Sequence, residues 1–368
     1  MRGVIAEASR PVPRSFVSSR RFMTATYRCM NNSKSRLQIC RTTILPDMTM
    51  AKTMAGLVLI LTAATLSAGQ PGVSPPKNAI PLFSEALAKE RGSTEAPFIV
   101  TYRSGGDVLA FVGADHVFTS ENSTIDAVRR AFTDTNPSLV IVEGFPTAFG
   151  RNFEPFVEAA HRRDRPDADA FAKSEAIFAA SQALARNVPF IGGEPTVTEE
   201  IEGLVAKGYK RDDVLFAVRL RSLGQARRSG EMPAGNATAF TSRYERESRA
   251  VAQMTGTEPA TAAQFIADYT RIVGVDPVSD VEMPHRYDPG TETLLQRMGA
   301  DNMRVRDEHL LSTILQQLDG NDRILIVYGS SHWTTLSRAL QDRLGKPVII
   351  VKKTIEQLHR APGTAGQP

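Results

Sequence analysis

The chain has 368 residues, of which 44 are Lys or Arg and 40 are Asp or Glu, so its formal net charge is +4. Such a charge suggests a nucleic-acid or anionic-membrane partner. The charge is unevenly distributed, however: residues 1–68 hold ten basic and two acidic residues, which leaves 34 basic and 38 acidic residues elsewhere. The globular part is therefore acidic and contains no recognisable nucleic-acid module. We expect no nucleic-acid partner.

The first 69 residues have the composition of an export segment. Lys52 precedes an apolar run over 54–64, and Leu66-Ser67-Ala68 follows it, which is the pattern of a secretory signal peptide. We assign the signal peptide to 48–69 and expect an exported protein, periplasmic or extracellular. Residues 1–47 form a basic extension that a misassigned start codon would explain. A transit peptide and an uncleaved membrane anchor are the alternatives, and membrane contact is expected only through an uncleaved signal.

Both cysteines, Cys29 and Cys40, lie upstream of the apolar run. The predicted mature chain therefore has no cysteine. This excludes disulfides, cysteine catalysis and zinc held by thiolates from the mature protein.

Downstream of a linker at 70–95, predicted strands and helices alternate, which is typical of an α/β fold with a mostly parallel central sheet flanked by helices. We assign this domain to 96–353, with a helical insertion or lid at about 230–290 and a disordered tail at 354–368. The predicted elements, in chain order, are a short helix at 82–91, hairpin strands at 98–102 and 108–112, a helix at 120–132, a strand at 138–142, a helix at 170–187, a strand at 188–191, helices at 197–207, 212–228, 261–273 and 291–318, a strand at 324–328, a helix at 334–344 and a strand at 348–351.

Two copies of one short motif follow buried strands: Gly113-Ala114-Asp115-His116 and Gly329-Ser330-Ser331-His332. Glycine permits a sharp backbone turn at the carboxyl end of a strand, where open α/β sheets bind their ligands. One histidine in this position is commonly a hydrogen-bonding residue. Two in the same setting, among only six histidines, favour one shared site. We predict that the ends of the two side chains lie within about 8 Å of each other.

Three more ionisable residues are candidates for this site. Glu143 and Glu194 each close a predicted strand, and burying an unpaired carboxylate is costly, so each is hydrogen-bonded or functional. Arg306 lies in the long helix on the same face as Asn302, and we expect it to hold a carboxylate or an oxyanion. We interpret three of its neighbours, Arg304, Asp307 and Glu308, as a solvated charged face.

Two imidazoles and a carboxylate form a donor set suited to Mn²⁺, Co²⁺ or Zn²⁺. A divalent ion with an open position lowers the pKa of its bound water to about 7 and supplies hydroxide at neutral pH. His116, His332 and Glu143 are then the expected ligands, Glu143 or Glu194 the general base, and Arg306 the anion stabiliser. Activity should fall as the pH drops through about 6.5, the ordinary histidine value.

These motifs, in this order, resemble the TraB/PrgY/GumN superfamily, which includes the Tiki proteases and is distantly similar to erythromycin esterases and ChaN-like haem-binding proteins. The resemblance spans about 95–352 and implies an α/β fold with paired Gly-x-x-His motifs and, by analogy with Tiki, a metal-dependent peptide hydrolase. The chain departs from the usual pattern at Asp115, a candidate for an added metal ligand or for a residue that tunes His116, and at Trp333.

Together these features predict an exported, metal-dependent hydrolase of peptide or ester bonds, with a peptide or small molecule as substrate. The alternative is a protein that binds haem, an anion or a peptide in the same crevice without turnover. The sequence does not fix the oligomeric state.

Overall fold

The computed structural model describes residues 80–93, 95–116, 122–169, 171–228, 232–281 and 293–350. The predicted extension, signal peptide and tail lie outside these residues. The described elements are α1 (Glu85–Arg91), β1 (Phe98–Ser104), β2 (Asp107–Ala114), α2 (Ser123–Thr135), β3 (Leu139–Pro146), a 3-10 turn (Thr147–Phe149), α3 (Glu154–Arg162), α4 (Glu175–Ala185), β4 (Phe190–Glu194), α5 (Val197–Ala206), α6 (Arg211–Arg228), α7 (Ala237–Thr255), α8 (Ala262–Val273), α9 (Leu294–Leu318), β5 (Arg323–Gly329), α10 (Ser330–Leu344) and β6 (Val348–Ile350).

The six strands form one sheet in the order β4-β3-β5-β2-β1-β6. Strands β4, β3, β5 and β2 run parallel to one another, and β1 is antiparallel to both β2 and β6. The described helices flank this sheet, so the predicted α/β class with a mostly parallel sheet is confirmed. The predicted hairpin is present as β1 and β2, with Phe98 opposite Gly113.

Both faces of the sheet are buried, which is why its central strands are almost continuously apolar. On one face, Val140 and Val142 of β3 join a core with α2, α3 and α4. On the other, Ile324 and Ile326 of β5 pack with α9 and α10. The helix after β3 and the helix after β5 thus cover opposite faces. Such a reversal opens a crevice beyond the carboxyl ends of the strands, the usual ligand position in open α/β sheets.

A third apolar core is formed by the helices from α5 to the start of α9. It includes α7, a helix within 230–290 that was not predicted from the sequence. The helix has ordinary signals, since Asn236 caps its first turn and Gly256 ends it with a φ of 66°. Its apolar stripe is interrupted by Arg243 and Glu247, which are buried as an ion pair at 2.8 Å. In a sequence, the two residues of a buried ion pair look like surface residues. The apolar spacing typical of a helix was therefore not recognisable here.

The two Gly-x-x-His motifs differ from the prediction in two respects. α10 begins at Ser330, not at 334, so His332 lies in the first turn of a helix. Neither glycine makes a sharp turn: Gly113 lies inside β2, and Gly329 has a φ of −53°. Both glycines are needed because a side chain at either position would clash with neighbouring side-chain atoms. A Cβ on Gly113 would lie 2.2 Å from the ring of Phe98.

Candidate functional site

The five residues singled out in the sequence meet at the carboxyl ends of the parallel strands. Glu143 lies in β3, Glu194 ends β4, His116 follows β2 by two residues, and His332 follows β5. Arg306 reaches them from α9, which packs against β4. The convergence follows from the parallel direction of β2, β3, β4 and β5, because parallel strands end at one edge of the sheet.

Glu143 is the centre of the site, with a side chain only 3 % exposed. Its Oε2 accepts a hydrogen bond from the Gly329 amide at 2.8 Å and lies 3.5 Å from His116 Nε2. Its Oε1 accepts a hydrogen bond from Arg306 Nη2 at 3.0 Å and lies 3.7 Å from His332 Nε2. The two histidines therefore share one site, with both Nε2 atoms near the same carboxylate.

Each histidine has a carboxylate of its own on the opposite side of the ring. His116 Nδ1 lies 2.6 Å from Glu175 Oε1, and His332 Nδ1 lies 2.5 Å from Asp307 Oδ1. A carboxylate can only accept, so Nδ1 is the donor in both pairs. Asp307 is held in turn by the Thr335 hydroxyl at 2.8 Å. Nε2 of each ring is consequently the atom that faces Glu143.

Arg306 binds carboxylates of the protein itself. Its Nε and Nη2 donate to the two oxygens of Glu194, at 2.7 and 2.5 Å, and Nη2 also contacts Glu143. Tyr328 donates its hydroxyl to Glu194 Oε1 at 3.0 Å. Both oxygens of Glu194 are thus engaged by the bidentate guanidinium and the phenol. Arg306 fixes two strand ends in place, and its role toward a substrate anion stays a prediction.

The charges of this cluster change the protonation of its members strongly. Burial lowers the histidine pKa, but nearby carboxylates outweigh it: Glu143 and Glu175 raise the pKa of His116 to about 9, and Asp307 and Glu143 raise the pKa of His332 to about 9. Burial raises the pKa of Glu143, but the two imidazoles and Arg306 outweigh it and hold that pKa well below the ordinary value. Glu143 is therefore ionised while the imidazoles are protonated at neutral pH.

Gly329 allows the motifs to approach each other. A Cβ at this position would lie 2.8 Å from His116 Nε2 and 3.4 Å from Glu143 Oε2. Any side chain there would press on the first histidine and the central carboxylate. The glycine of the second motif thus makes room for the histidine of the first.

Two residues of the site, Glu175 and Asp307, were not predicted from the sequence, and the predicted solvated position of Asp307 was wrong. Asp307 is 1 % exposed, not part of a solvated face, whereas Glu308 is exposed as expected. The signal was its helical spacing, because Asp307 shares a face with Leu310, Leu311 and Ile314. Glu175, 2 % exposed, begins an alanine-rich helix after the capping residue Ser174, and a carboxylate on a helix buried all round was the available signal.

Asp115 and Trp333, the two residues that depart from the TraB/PrgY/GumN pattern, lie in different environments. Asp115 is exposed, and its main-chain oxygen accepts a hydrogen bond from the Thr124 hydroxyl at 3.0 Å. Trp333 is buried, donates its Nε1 hydrogen to Tyr102 at 3.1 Å and packs edge-on against Phe98. Trp333 therefore anchors α10 to β1.

The donor chemistry of the site suits a divalent ion, and carboxylates behind both Nδ1 atoms are common at metal sites. A metal ion held by His116, His332 and Glu143 stays a prediction. Over the described ranges, no group of three or more His, Cys, Asp or Glu side chains is disposed to hold an ion. Both oxygens of Glu143 already accept hydrogen bonds, one from a main-chain amide and one from a guanidinium.

Comparison of the chain with protein-family models, with curated proteins and with solved structures finds no match. The resemblance to the TraB/PrgY/GumN superfamily stays a prediction. In the part of the chain that is described, no helix has the length and apolar character needed to cross a membrane.

Proposed function

We propose that this protein is a hydrolase of peptide or ester bonds that uses His116 and His332 for proton transfer. The observation that carries the proposal is the pair of buried imidazoles, each with its own carboxylate at Nδ1 and each directing Nε2 toward Glu143. A carboxylate at Nδ1 orients an imidazole and stabilises its protonated form, which is how histidine serves as a general base in other hydrolases.

The pair supplies a base and an acid once one of the two protons has left. The neutral imidazole takes a proton from water through Nε2 as the water oxygen bonds to the carbonyl carbon of the substrate. The protonated imidazole then donates its Nε2 hydrogen to the departing nitrogen or oxygen as the scissile bond breaks. Two titrating groups that repel each other lose their protons in separate steps, which provides this mixed state.

The low pKa of Glu143 and the hydrogen bonds of Glu194 favour the imidazoles over the glutamates as the base. An effective base has a pKa near the working pH, and the pKa of Glu143 is held well below its ordinary value. Glu194 has both oxygens bound to Arg306 and Tyr328. In this proposal Glu143 holds the positive charge that develops on the imidazoles, and Arg306 and Glu194 keep Glu143 in position.

A metal-dependent reaction at the same residues is the second candidate, and the carboxylate behind each Nδ1 is the observation that favours it. The two candidates differ in their response to a chelator and in their pH dependence. Export through a signal peptide at 48–69 remains a proposal from the sequence.

The test is hydrolysis of a panel of 4-nitrophenyl esters and fluorogenic peptides by the wild type, His116→Gln and His332→Gln. Each substitution removes a proton-transfer group, so we expect kcat/KM to fall by a factor of about a hundred or more. His161→Gln is the matched control, because His161 is exposed on α3, and it should keep full activity. Melting temperatures verify that the variants fold. If the wild type hydrolyses nothing on the panel, the protein that binds without turnover becomes the better account.

A further inference from the structure

Arg219 is a buried cation without a counterion. It lies near the middle of α6 and is 7 % exposed, and within the described part of the chain it makes no hydrogen bond or ion pair. The other described arginines that are more than nine-tenths buried have partners, since Arg163 donates to the main-chain oxygen of Ser174 at 3.3 Å and Arg243 pairs with Glu247 at 2.8 Å. Arginine is almost never buried unpaired, because removing its charge from water is costly. A counterion for Arg219 is therefore expected from outside the protein.

The carboxylate on the neighbouring helix α7 does not supply this counterion. Ser222 lies one helical turn after Arg219 on the same face of α6, and its hydroxyl donates to Glu247 Oε2 at 2.6 Å. The second oxygen of Glu247, Oε1, pairs with Arg243. Both oxygens of Glu247 are thus engaged, and the charge of Arg219 stays uncompensated.

A second carboxylate, Asp268 of α8, is engaged as well. Burial raises the pKa of the Tyr244 phenol, the Arg219 charge acts to lower it and the Asp268 charge to raise it, so both charges lie in the surroundings of this phenol. The two Asp268 oxygens accept hydrogen bonds from Gln264 and Arg271, each at 3.1 Å. Asp268 is therefore committed to its own helix.

The guanidinium of Arg219 reaches solvent through its terminal nitrogens. Of its three nitrogens, only Nε is both without a partner and without surface. The unpartnered Nη1 and Nη2 therefore hold part of the 7 % that is exposed. This edge of a guanidinium presents two parallel N–H groups, which match two oxygens of a carboxylate or a phosphate. A small anion can thus reach the charge at an edge suited to an oxyanion.

We propose that Arg219 is the centre of a binding site for a small oxyanion, a carboxylate or phosphate group, in the third apolar core. The bound anion supplies the counter-charge that Glu247 and Asp268 do not provide, and it stabilises the packing of α6 against α7. The proposal does not depend on the hydrolase function, because Arg219 lies among residues of the helical core and not among those that cover the sheet.

Calorimetric titration of the full chain at pH 7 with sodium phosphate and with sodium acetate tests the proposal, with sodium chloride of equal ionic strength as the reference. We expect one phosphate or one acetate to bind per chain, and the anion that saturates the site identifies it as a phosphate or a carboxylate site. Arg219→Met should weaken this binding about tenfold or more, and Arg219→Lys should weaken it less, because an ammonium keeps the charge but lacks the fork. Arg249→Met is the matched control, since Arg249 is exposed on α7, and it should bind as the wild type does.

Melting temperatures in a chloride buffer test the unpaired charge separately. Arg219→Met removes an uncompensated buried cation and keeps an apolar side chain, so its melting temperature should equal or exceed that of the wild type. The anion that binds should raise the melting temperature of the wild type but not that of Arg219→Met. A variant that melts several degrees lower or fails to fold would show that Arg219 has a counterion within the protein, and this would overturn the proposal. Binding of neither anion, or binding unchanged in Arg219→Met, would overturn it as well.

Discussion

At the scale of single residues, the site is held together by hydrogen bonds and ion pairs among its ionisable side chains, and no single reactive group dominates it. Glu143 lies beside both imidazoles and the guanidinium. Glu143 and Glu175 raise the pKa of His116 to about 9, and Asp307 and Glu143 raise the pKa of His332 to about 9. Each imidazole is also fixed from behind, by Glu175 and by Asp307. The outer carboxylates keep a hydrogen on Nδ1, and together with Glu143 they hold the second proton of each ring more firmly.

Asp307→Asn tests this division of roles. An amide in place of the carboxylate can donate to Nδ1, which moves the ring hydrogen to Nε2 and removes the lone pair needed there. We expect kcat/KM to fall by a factor on the order of a hundred or more, with the fold retained. Asp319→Asn, an exposed position at the end of the same helix, should have no effect. Full activity in Asp307→Asn would show that the orientation of His332 does not matter for the reaction.

At the scale of elements, the site depends on how closely two strand ends approach each other. β2 and β5 are neighbours with Ala114 opposite Gly329, so the residues after them are forced together. The absence of a side chain on Gly329 lets His116 Nε2 approach the backbone of β5. α9 and α4 then close the site from opposite faces of the sheet, one with Arg306 and Asp307 and the other with Glu175.

Gly329→Ala should impair the site while leaving the sheet intact. The added Cβ would lie 2.8 Å from His116 Nε2, so the imidazole has to move away from Glu143. We expect a loss of kcat/KM on the order of tenfold to a hundredfold, since small displacements of reacting groups are costly. Gly320→Ala is the control, because its Cβ would have nothing within 4 Å. Equal activities of the two variants would mean that this close approach is not required.

Some of these elements could be predicted from the sequence, and others could not. The parallel strands were accessible because both faces of the sheet are buried, which makes β3 and β5 continuously apolar. The convergence of His116, Glu143, Glu194 and His332 followed from strand ends sharing one edge, whereas Arg306 reaches them from helix α9. Asp307 was missed because a buried carboxylate paired with a distant histidine looks like a surface charge. Helix α7 was missed because the buried pair Arg243 and Glu247 interrupts its apolar stripe.

At the scale of the whole molecule, the cluster couples folding to pH. The pKa of each histidine rises from 6.5 to about 9 on folding, so each contributes stability that is present below pH 6.5 and lost as the pH rises through about 9. The pKa of Glu143 is lowered from 4.5, so its contribution is present above pH 4.5 and is lost at lower pH. The cluster stabilises the fold most between these limits.

We therefore expect the melting temperature to fall between pH 6.5 and pH 9, the interval over which the folded histidines hold their protons more tightly. The double variant His116→Gln/His332→Gln should lack most of this decrease. The difference between the two melting curves isolates the cluster from the other titrating groups, such as His309, whose pKa burial lowers. Parallel curves across this range would contradict raised histidine pKa values.

The pH dependence of kcat/KM, measured on one hydrolysed ester with and without a chelator, tests the central claim most directly. If His116 and His332 transfer the protons, the rate should fall as the pH drops below about 9, because the required imidazole becomes protonated. The chelator should leave both the profile and the rate unchanged. A rate that stays constant down to about pH 7, as expected for metal-bound water, and that the chelator abolishes until Mn²⁺, Co²⁺ or Zn²⁺ is added, would contradict the account.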